Sequence, residues 1–321
     1  MATASRDLDL LRHMIRAIVP PMGSHLHKGQ AGRIAIVGGS KEYTGAPYYA
    51  AMSSLKLGAD LSYVFCSEAA ATPIKTYSPE LIVVPLLDSP SDVGERRATI
   101  DSWMSRIHAL VVGPGLGRHP DLLKSAAGMI GLAREADKPI VIDADGLHVI
   151  GETPALVQDY EKAILTPNAV EFARLYEAVM ESPYRDDVAT RVENVRRLSE
   201  RLGHVTIVRK GEEDVVSNGR QVLTCGIPGS IRRCGGQGDV LAGCLGTFVY
   251  WANLYWSSTS PSSRDSLVQR YEPMVSAGYA GCTVTRTCSR RAFSRRRRSM
   301  TGPDLIAEIQ GAYDALFEEA T

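Results

Sequence analysis

The sequence predicts an α/β fold, a doubly wound and mostly parallel sheet with helices on both faces. Short apolar runs of strand length alternate with helical patterns along most of the chain, as βαβ units do. These runs are apolar at successive positions, which is typical of strands that helices cover on both sides. A chain of 321 residues is long enough for one large domain of this kind.

In the first half, helical and strand patterns follow each other in regular order. A helix is predicted within residues 1–28 and ends at Pro20-Pro21. After it we expect strands at 33–37, 61–66, 81–84, 109–112 and 139–142, with helices at 46–58, 69–77 and 120–136. Several of these strands run directly into glycine or aspartate, where ligands bind in such sheets.

The second half continues the pattern without a break in composition, so we predict a single domain over residues 1–321. A Ser-rich stretch at 253–271 is expected to be an irregular surface insertion. The predicted elements are a strand at 164–165, helices at 169–179 and 186–202, a strand at 205–208, two hairpin-like segments ending near Cys225, and helices near 273–286 and 303–318.

Composition excludes several function classes. Lys plus Arg and Asp plus Glu both total 36, so net charge gives no reason to expect nucleic acid or a membrane surface as a partner. No apolar run is long enough to cross a bilayer. The six cysteines form no CxxC pair, which favours reduced thiols and a cytoplasmic location. Residues 1–18 are weakly amphipathic, which leaves a mitochondrial form open.

The segment at residues 228–243 carries the strongest functional signal. Four of its residues are glycines preceding Asp239, after which apolar residues recur at helical spacing. A glycine-rich turn that opens into a helix directs backbone N–H groups at one point, and phosphate is the usual ligand there. Asp239 would lie beside that phosphate and accept a proton from a substrate hydroxyl. The alternative is that Asp239 only caps the helix.

Other segments support a nucleotide site without proving one. Asn168 and Glu171 have the spacing of a capping box, but Glu171 could also orient a water on the Mg²⁺ of a nucleotide. Lys210 ends a strand and could contact phosphate, or mark an acidic hairpin tip. Asp143 and Asp145 could serve a metal or a hydroxyl, or cap the next helix. The glycines at 113–117 could admit a ligand or form a tight turn.

A run of arginines at residues 290–298 is the one strongly charged patch. A nucleic-acid site would need interleaved aromatic residues, and only Phe293 lies within the run. We therefore predict a solvated loop before the last helix.

Taken together and in order, these segments resemble those of the ATP-dependent NAD(P)H-hydrate dehydratases, over about residues 10–315. The matching segments are 37–40 (Val-Gly-Gly-Ser), 43–50 (Tyr-Thr-Gly-Ala-Pro-Tyr-Tyr-Ala), 113–118 (Gly-Pro-Gly-Leu-Gly-Arg), 143–147 (Asp-Ala-Asp-Gly-Leu), 166–168 (Thr-Pro-Asn), 210–211 (Lys-Gly) and 235–243 (Gly-Gly-Gln-Gly-Asp-Val-Leu-Ala-Gly). The resemblance implies a ribokinase-like fold. The departures are the stretch at 253–271 and the arginine run.

The resemblance implies a lyase that uses ATP and Mg²⁺ to repair hydrated nicotinamide nucleotides, (S)-NADHX and (S)-NADPHX. ATP would phosphorylate the C6 hydroxyl, with Asp239 as the base, and loss of phosphate would restore NADH or NADPH. No protein-held metal is implied. The hydrate contacts carry over to Gly115, Asn168, Ala169, Val170, Glu171, Phe172, Ala173, Arg174 and Asp239. The ATP contacts carry over to Lys210, Gly211, Glu212, Glu213, Asp214, Gly229, Ser230, Ile231, Arg232, Arg233, Cys234, Gly235, Gly236, Gln237 and Gly238.

The same resemblance implies that a separate NAD(P)H-hydrate epimerase acts in the same pathway, and a homo-oligomer is an open expectation.

Two rival functions stay open on sequence grounds. A kinase of the same fold, acting on a vitamin precursor or a sugar, would share the phosphate site. A non-catalytic nucleotide-binding or RNA-binding protein would use the arginine run instead and would bind polyanions in a salt-dependent way.

Overall fold

Nine strands form one sheet in the computed structural model, which describes residues 11–23, 27–89, 93–264 and 268–317. The strands are β1 (Arg33–Val37), β2 (Leu61–Cys66), β3 (Ile82–Pro85), β4 (Ala109–Val112), β5 (Ile140–Ile142), β6 (Ala163–Leu165), β7 (Thr206–Arg209), β8 (Asp214–Ser217) and β9 (Val222–Cys225). Their order is β3-β2-β1-β4-β5-β6-β7-β8-β9. Pairing is parallel from β3 through β7 and antiparallel for β8 and β9.

Helices cover both faces of this sheet. They are α1 (residues 11–18), α2 (Gly45–Leu57), α3 (Glu68–Tyr77), α4 (Val93–Met104), α5 (Pro120–Glu135), α6 (Asp145–Glu152), α7 (Ala169–Met180), α8 (Arg191–Arg201), α9 (Gln237–Ser258), α10 (Pro273–Arg296), α11 (Gly302–Ala307) and α12 (Ile309–Phe317). One apolar core joins the sheet to α1–α3 and α9–α12, and a second joins it to α4–α8. The predicted doubly wound, mostly parallel sheet is confirmed.

Small residues let the central helices α2 and α9 approach closely. A β-carbon at Gly243 would overlap the carbonyl oxygen of Ala50 on α2, so only glycine fits there. Likewise, a β-carbon at Gly246 would lie 2.6 Å from Val111 of β4. These contacts hold α9 against both the sheet and α2, and they fix the position of its first turn.

Two stretches in the last third of the chain are more regular than predicted. The arginine run is not a loop, because α10 continues to Arg296. The chain that follows supplies carboxylates: Glu308 pairs with Arg291 and Arg295, and Asp304 pairs with Arg296. Repulsion along the run is thereby offset, and the helix continues.

The Ser-rich stretch is also more regular than expected. Residues 253–258 are the end of α9, and short 3-10 turns follow at Pro261–Ser263 and Val268–Arg270. Residues 265–267 lie outside the described residues, as do residues 1–10 and 24–26 of the predicted N-terminal helix region. The single-domain assignment of the whole chain stays a prediction.

Helix α4 was missed from the sequence, and α8 begins later than predicted. The buried apolar residues Ile100 and Met104 lie in the last two turns of α4, so most of that helix shows no apolar periodicity. Helix α8 begins at Arg191 rather than near 186. Asp186, in the segment that precedes the helix, pairs with Arg191 of α8 and with Arg209 of β7, and these pairs hold it outside the helix.

None of the described helices is both long and apolar enough to cross a membrane.

All six cysteines are free, five of them are buried and Cys234 is half-buried. Burial raises the pKa of each thiol, to about 12 for Cys66 and Cys244.

Candidate active site

A cavity of about 580 Å³ lies beyond the carboxyl ends of β5, β6 and β7. Each strand brings a polar residue to it: Asp143 follows β5, Asn168 lies three residues after β6, and Lys210 follows β7. The first turn of α9 and one side of α10 close the cavity. In a parallel sheet the chain is expected to bind ligands at this edge.

Helix α9 directs free backbone N–H groups into the cavity. Gly236 precedes the helix with φ of +90°, a conformation that favours glycine. The first bond within the helix runs from the N–H of Val240 to the carbonyl of Gly236, 2.9 Å apart. The N–H groups of residues 237–239 therefore have no acceptor inside the helix and can serve an anion. Asp239 is the third residue of the helix and not its cap, so the capping alternative is wrong.

Lys210 and two carboxylates form a charged cluster in the floor of the cavity. The Nζ of Lys210 lies 2.8 Å from Oδ1 of Asp143 and 3.8 Å from Oε2 of Glu171. The hydroxyl of Thr166 also donates to Oδ1 of Asp143, at 2.7 Å. Burial opposes the charge on Lys210, but the two carboxylates outweigh it and raise the pKa of Lys210. The lysine is therefore a fixed cation.

Asp239 lies beside this cluster and has an unusual acidity. Burial first and the charge of Asp143 second raise the pKa of its carboxyl from 3.8 to about 7, with Lys210 partly offsetting both. A carboxyl with a pKa near the working pH can accept a proton and release it again, as a general base must. Such a shift in a cavity is a mark of functional sites.

Asn168 and Glu171 both cap α7 and face the cavity. The Oδ1 of Asn168 accepts from the N–H groups of Val170 and Glu171, and Oε2 of Glu171 accepts from the N–H of Asn168. This confirms the capping box. Burial raises the pKa of Glu171. Lys210 and the hydrogen bond from Asn168 oppose this rise, and the charges of Asp143 and Asp145 add to it. Glu171 therefore caps α7 and lines the cavity at the same time.

Arg286 of α10 joins two walls of the cavity and was not singled out from the sequence. Its guanidinium donates to both carboxylate oxygens of Asp214, at 2.6 and 2.9 Å. It also donates to the carbonyls of Gly211 and Ile227. Because Asp214 is used in this pair, it shapes the predicted ATP site rather than offering a free carboxylate. No local motif marks Arg286, which lies 72 residues from Asp214 in the chain.

Ser289, one turn beyond Arg286, was missed for the same reason. Its hydroxyl donates to Oγ of Ser230 at 2.7 Å, and Ser230 donates to the carbonyl of Arg232. Arg232 in turn donates to the carbonyl of Met300. These bonds order the loop that precedes α9.

Ten of the predicted ATP contacts line the cavity, namely Lys210, Gly211, Glu212, Asp214, Gly229, Ser230, Arg233, Cys234, Gln237 and Gly238. The other five flank it. Ile231 is 90% exposed, and Gly236 contacts Tyr49, where a β-carbon would lie 2.9 Å from the ring. Glu213, Arg232 and Gly235 complete this flanking group. Their roles toward a nucleotide stay predictions.

The predicted hydrate contacts fall into two groups. Asn168, Glu171 and Asp239 line the cavity, whereas Ala169, Val170 and Ala173 do not. The side chain of Phe172 is fully buried under the guanidinium of Arg209, so it supports α7 and does not face the cavity. Gly115 is bonded to Gly39 and Ser40 through its carbonyl. Arg174 faces a neighbouring cavity.

Within the described residues, no group of three or more His, Cys, Asp or Glu side chains could hold a metal ion. Single carboxylates such as those of Asp143 and Glu171 do line the cavity.

A profile described as NAD(P)H-hydrate dehydratase matches residues 34–311. The chain belongs to this family. A human protein named ATP-dependent (S)-NAD(P)H-hydrate dehydratase is 50% identical over 317 residues, covering 99% of this chain and 87% of the relative. The protein of that name from Mycosarcoma maydis is 43% identical over 323 residues, covering 98% and 91%.

Solved structures confirm the fold. A ribokinase-like superfamily protein from Enterococcus faecalis superposes with a TM-score of 0.70 at 18% identity, covering 96% of this chain and 95% of the other. A Bacillus subtilis ADP/ATP-dependent NAD(P)H-hydrate dehydratase, co-crystallized with ATP/Mg²⁺, superposes with a TM-score of 0.67 at 18% identity, covering 95% and 97%. The expected ribokinase-like fold of the family is thus present.

Proposed function

We propose that this family member is a hydro-lyase that repairs nicotinamide nucleotides by ATP-dependent dehydration of (S)-NADHX and (S)-NADPHX to NADH and NADPH. The observation that carries the proposal is the position of Asp239, a half-buried residue at the N-terminus of α9 whose carboxyl has a pKa of about 7. A proton acceptor and a phosphate-binding helix end meet at one point. The names of the relatives supply the substrate.

Asp239 begins the reaction by taking the proton of the C6 hydroxyl of the hydrate. The alkoxide oxygen then attacks the γ-phosphorus of ATP. The bond between that phosphorus and the bridging oxygen breaks, ADP leaves, and a phosphate ester forms at C6. The ester leaves as inorganic phosphate while the neighbouring ring carbon loses a proton, which restores the double bond. The N–H groups at residues 237–239 hold the charge that develops on the transferred phosphoryl.

The charged cluster offers one cation and two carboxylates to a magnesium nucleotide. Lys210 stays protonated because Asp143 and Glu171 face it, so it can contact phosphate oxygens as a point charge. Mg²⁺ supplies charge neutralisation on the phosphates when it binds with ATP. Asp143 is the nearest carboxylate to Lys210, and Asp143 also restrains the ionisation of Asp239.

A small-molecule kinase of the same fold would use the same first step and stop at the phosphate ester. The relatives at 43–50% identity favour the dehydratase. An enzyme that takes one C6 stereoisomer leaves the other unused, so an NAD(P)H-hydrate epimerase is the expected partner. The cytoplasmic location and a homo-oligomer stay predictions.

The decisive assay incubates purified protein with NADHX, ATP and Mg²⁺ and follows the return of reduced-nicotinamide absorbance. We expect one ATP consumed for each NADH restored, and no recovery without nucleotide or with EDTA. Full-rate recovery in the absence of ATP would contradict the proposal. Accumulation of a stable phosphorylated hydrate would favour the kinase instead.

A further inference from the structure

A separate cavity, of about 460 Å³, lies at the edge of the sheet opposite the reaction cavity. Arg33 begins β1 and His108 directly precedes β4, so both lie at the amino ends of parallel strands. The N–H of His108 donates to the carbonyl of Arg33 at 2.9 Å, which places the two residues side by side. Apolar surface comes from Pro20, Pro21, Ala31 and Leu254, and none of the described residues in the wall is acidic.

The guanidinium of Arg33 has no hydrogen-bond acceptor among the described residues, and its Nε is buried. Gly29 lies directly against it, since a β-carbon there would be 2.3 Å from Nε. The Oδ2 of Asp60 accepts instead from the N–H groups of Gly29 and Ala31, at 2.7 and 2.9 Å. A buried N–H group without an acceptor is unfavourable. Arg33 is half-buried and lines the cavity, so it can offer its donors to a ligand there.

His108 places an imidazole beside this cation. Its ring stacks on Tyr250 of α9, with the ring centroids 4.5 Å apart, and its Nδ1 is buried without a partner among the described residues. Burial, followed by the charges of Arg33 and Lys138, lowers the pKa of His108 to about 4, and Asp60 opposes this shift. The ring is therefore neutral at physiological pH and can donate one hydrogen bond to an anion.

These groups match a small anion that carries one negative charge and a flat apolar body. One guanidinium balances one carboxylate and can bind both of its oxygens, whereas a phosphate dianion would keep half of its charge uncompensated. The apolar wall favours a ligand whose body leaves water when it binds. Cavities of this size, with few polar groups among apolar ones, are typical of small-molecule sites.

We propose that this cavity binds a small carboxylate with a flat apolar body. Its oxygens accept hydrogen bonds from Arg33 and His108, and its body lies against Pro20, Pro21 and Leu254. The site is distinct from the reaction cavity and does not depend on the proposed dehydration. The ligand contacts α9 at the end opposite Asp239.

The first test uses benzoate as the probe and benzamide, which has a similar shape and no charge, as its control. Titration of the purified full chain, followed by NMR of the probe, should give a Kd of about 1 mM for benzoate. Benzamide should bind at least about tenfold more weakly, because it brings no negative charge to the guanidinium. Inorganic phosphate should displace benzoate only at about tenfold higher concentration, and ATP with Mg²⁺ should not displace it.

Two variants test the walls of the site. Arg33→Gln should weaken benzoate binding at least about tenfold, whereas Arg298→Gln, at an exposed position outside the cavity, should not change it. Leu254→Trp should fill the cavity and weaken binding to the same extent without changing the charge. Its control is Leu123→Trp, at a half-buried leucine of α5. Melting curves establish that each variant is folded.

A crystal structure of wild type soaked with benzoate gives a result that needs no variant, and it should show the carboxylate within hydrogen-bond distance of Arg33. Absence of saturable benzoate binding, equal affinity for benzamide, or a carboxylate bound elsewhere would overturn the inference. Unchanged affinity in folded Arg33→Gln, or displacement by ATP, would do the same. Failure of the proposed function is distinguishable, because it concerns turnover of the hydrates and leaves these titrations unchanged.

Discussion

Two glycine-rich segments lie at the same edge of the sheet, and they use glycine for opposite reasons. At residues 113–117 the glycines are required by the protein itself. A β-carbon at Gly113 would overlap the carbonyl of Asp143, and one at Gly115 would lie 2.6 Å from the carbonyl of Tyr43. At Gly235, in the loop before α9, a β-carbon would meet nothing within 4 Å.

This comparison distinguishes glycines that the fold requires from glycines that leave room for a ligand. Gly113 and Gly115 have φ of +123° and +62°, so their conformation and their surroundings both exclude a side chain. The loop before α9 has one such position, Gly236, whereas a β-carbon at Gly235 would meet open space. Composition alone does not distinguish the two cases, whereas substitutions should.

The largest effect is expected for Asp239→Asn, just after the glycine loop that precedes α9. The variant keeps the shape of the first turn of α9 but has no base, so turnover should fall at least about a hundredfold. In wild type, kcat/KM should rise about tenfold per pH unit up to about pH 7 and then level off, because only the carboxylate accepts a proton. Initial rates with NADHX on both sides of that pH test this.

Stability provides the control for that variant. Because the folded pKa of Asp239 is raised from 3.8 to about 7, its contribution to stability is present at low pH and is lost as the pH rises through about 7. Asn has no such dependence. Asp239→Asn should therefore melt higher than wild type at about pH 8, with a smaller difference at about pH 5. Retained activity would reduce Asp239 to a structural residue.

The next largest effect is on folding, in Gly113→Ala. The added methyl group overlaps the Asp143 carbonyl and the backbone is at a positive φ, so we expect a loss of about 3 kcal/mol or more in the free energy of unfolding. Urea unfolding measures it. A variant as stable as wild type would show that the segment at 113–117 tolerates side chains and that its glycines have another purpose.

A smaller effect is expected for Gly235→Ala. Stability should stay within about 0.5 kcal/mol of wild type because the methyl group meets no protein atom. The same methyl group should crowd a nucleotide on the N–H groups of α9 and raise KM for ATP about fivefold. If both quantities stay unchanged, the nucleotide does not approach this glycine.

The smallest effect is expected outside both segments, in the double variant Arg297→Ser, Arg298→Ser. Both side chains are exposed at the end of α10 and neither lines the reaction cavity, so turnover and melting temperature should stay close to wild type. Filter binding of RNA at low and at physiological salt accompanies the assay. Tight, salt-resistant RNA binding by wild type that this variant loses would give the patch a function.

Much of the fold was predictable because its signals are local. The apolar runs of β2 and β4 matched the structure residue for residue, since both strands are buried on two faces. Helix α4 was not predictable in this way, because the buried apolar residues among its described side chains, Ile100 and Met104, lie in its last turns. The continuation of α10 depends on Glu308 and Asp304, which reach the arginines only after the chain has turned back.

The site residues likewise divide into those that local sequence motifs mark and those that only long-range packing brings into place. Lys210, Asp239 and the capping pair Asn168 and Glu171 lie next to recognisable motifs, and the fold brings them to one cavity. Arg286 carries no motif and depends on packing between α10 and the hairpin of β8 and β9. The raised pKa of Asp239 likewise arises from burial and from Asp143, which is distant in the chain and which no local pattern reports.

The cysteines have a consequence for durability. Oxidants and electrophiles attack the thiolate form of sulfur, and burial holds all six thiols of this chain in the neutral form. Two of these sulfurs, those of Cys234 and Cys282, belong to residues that line the reaction cavity. We therefore expect the two sulfurs at this cavity to react slowly with peroxide, and the protein to keep its activity at peroxide concentrations that oxidise thiols of ordinary pKa.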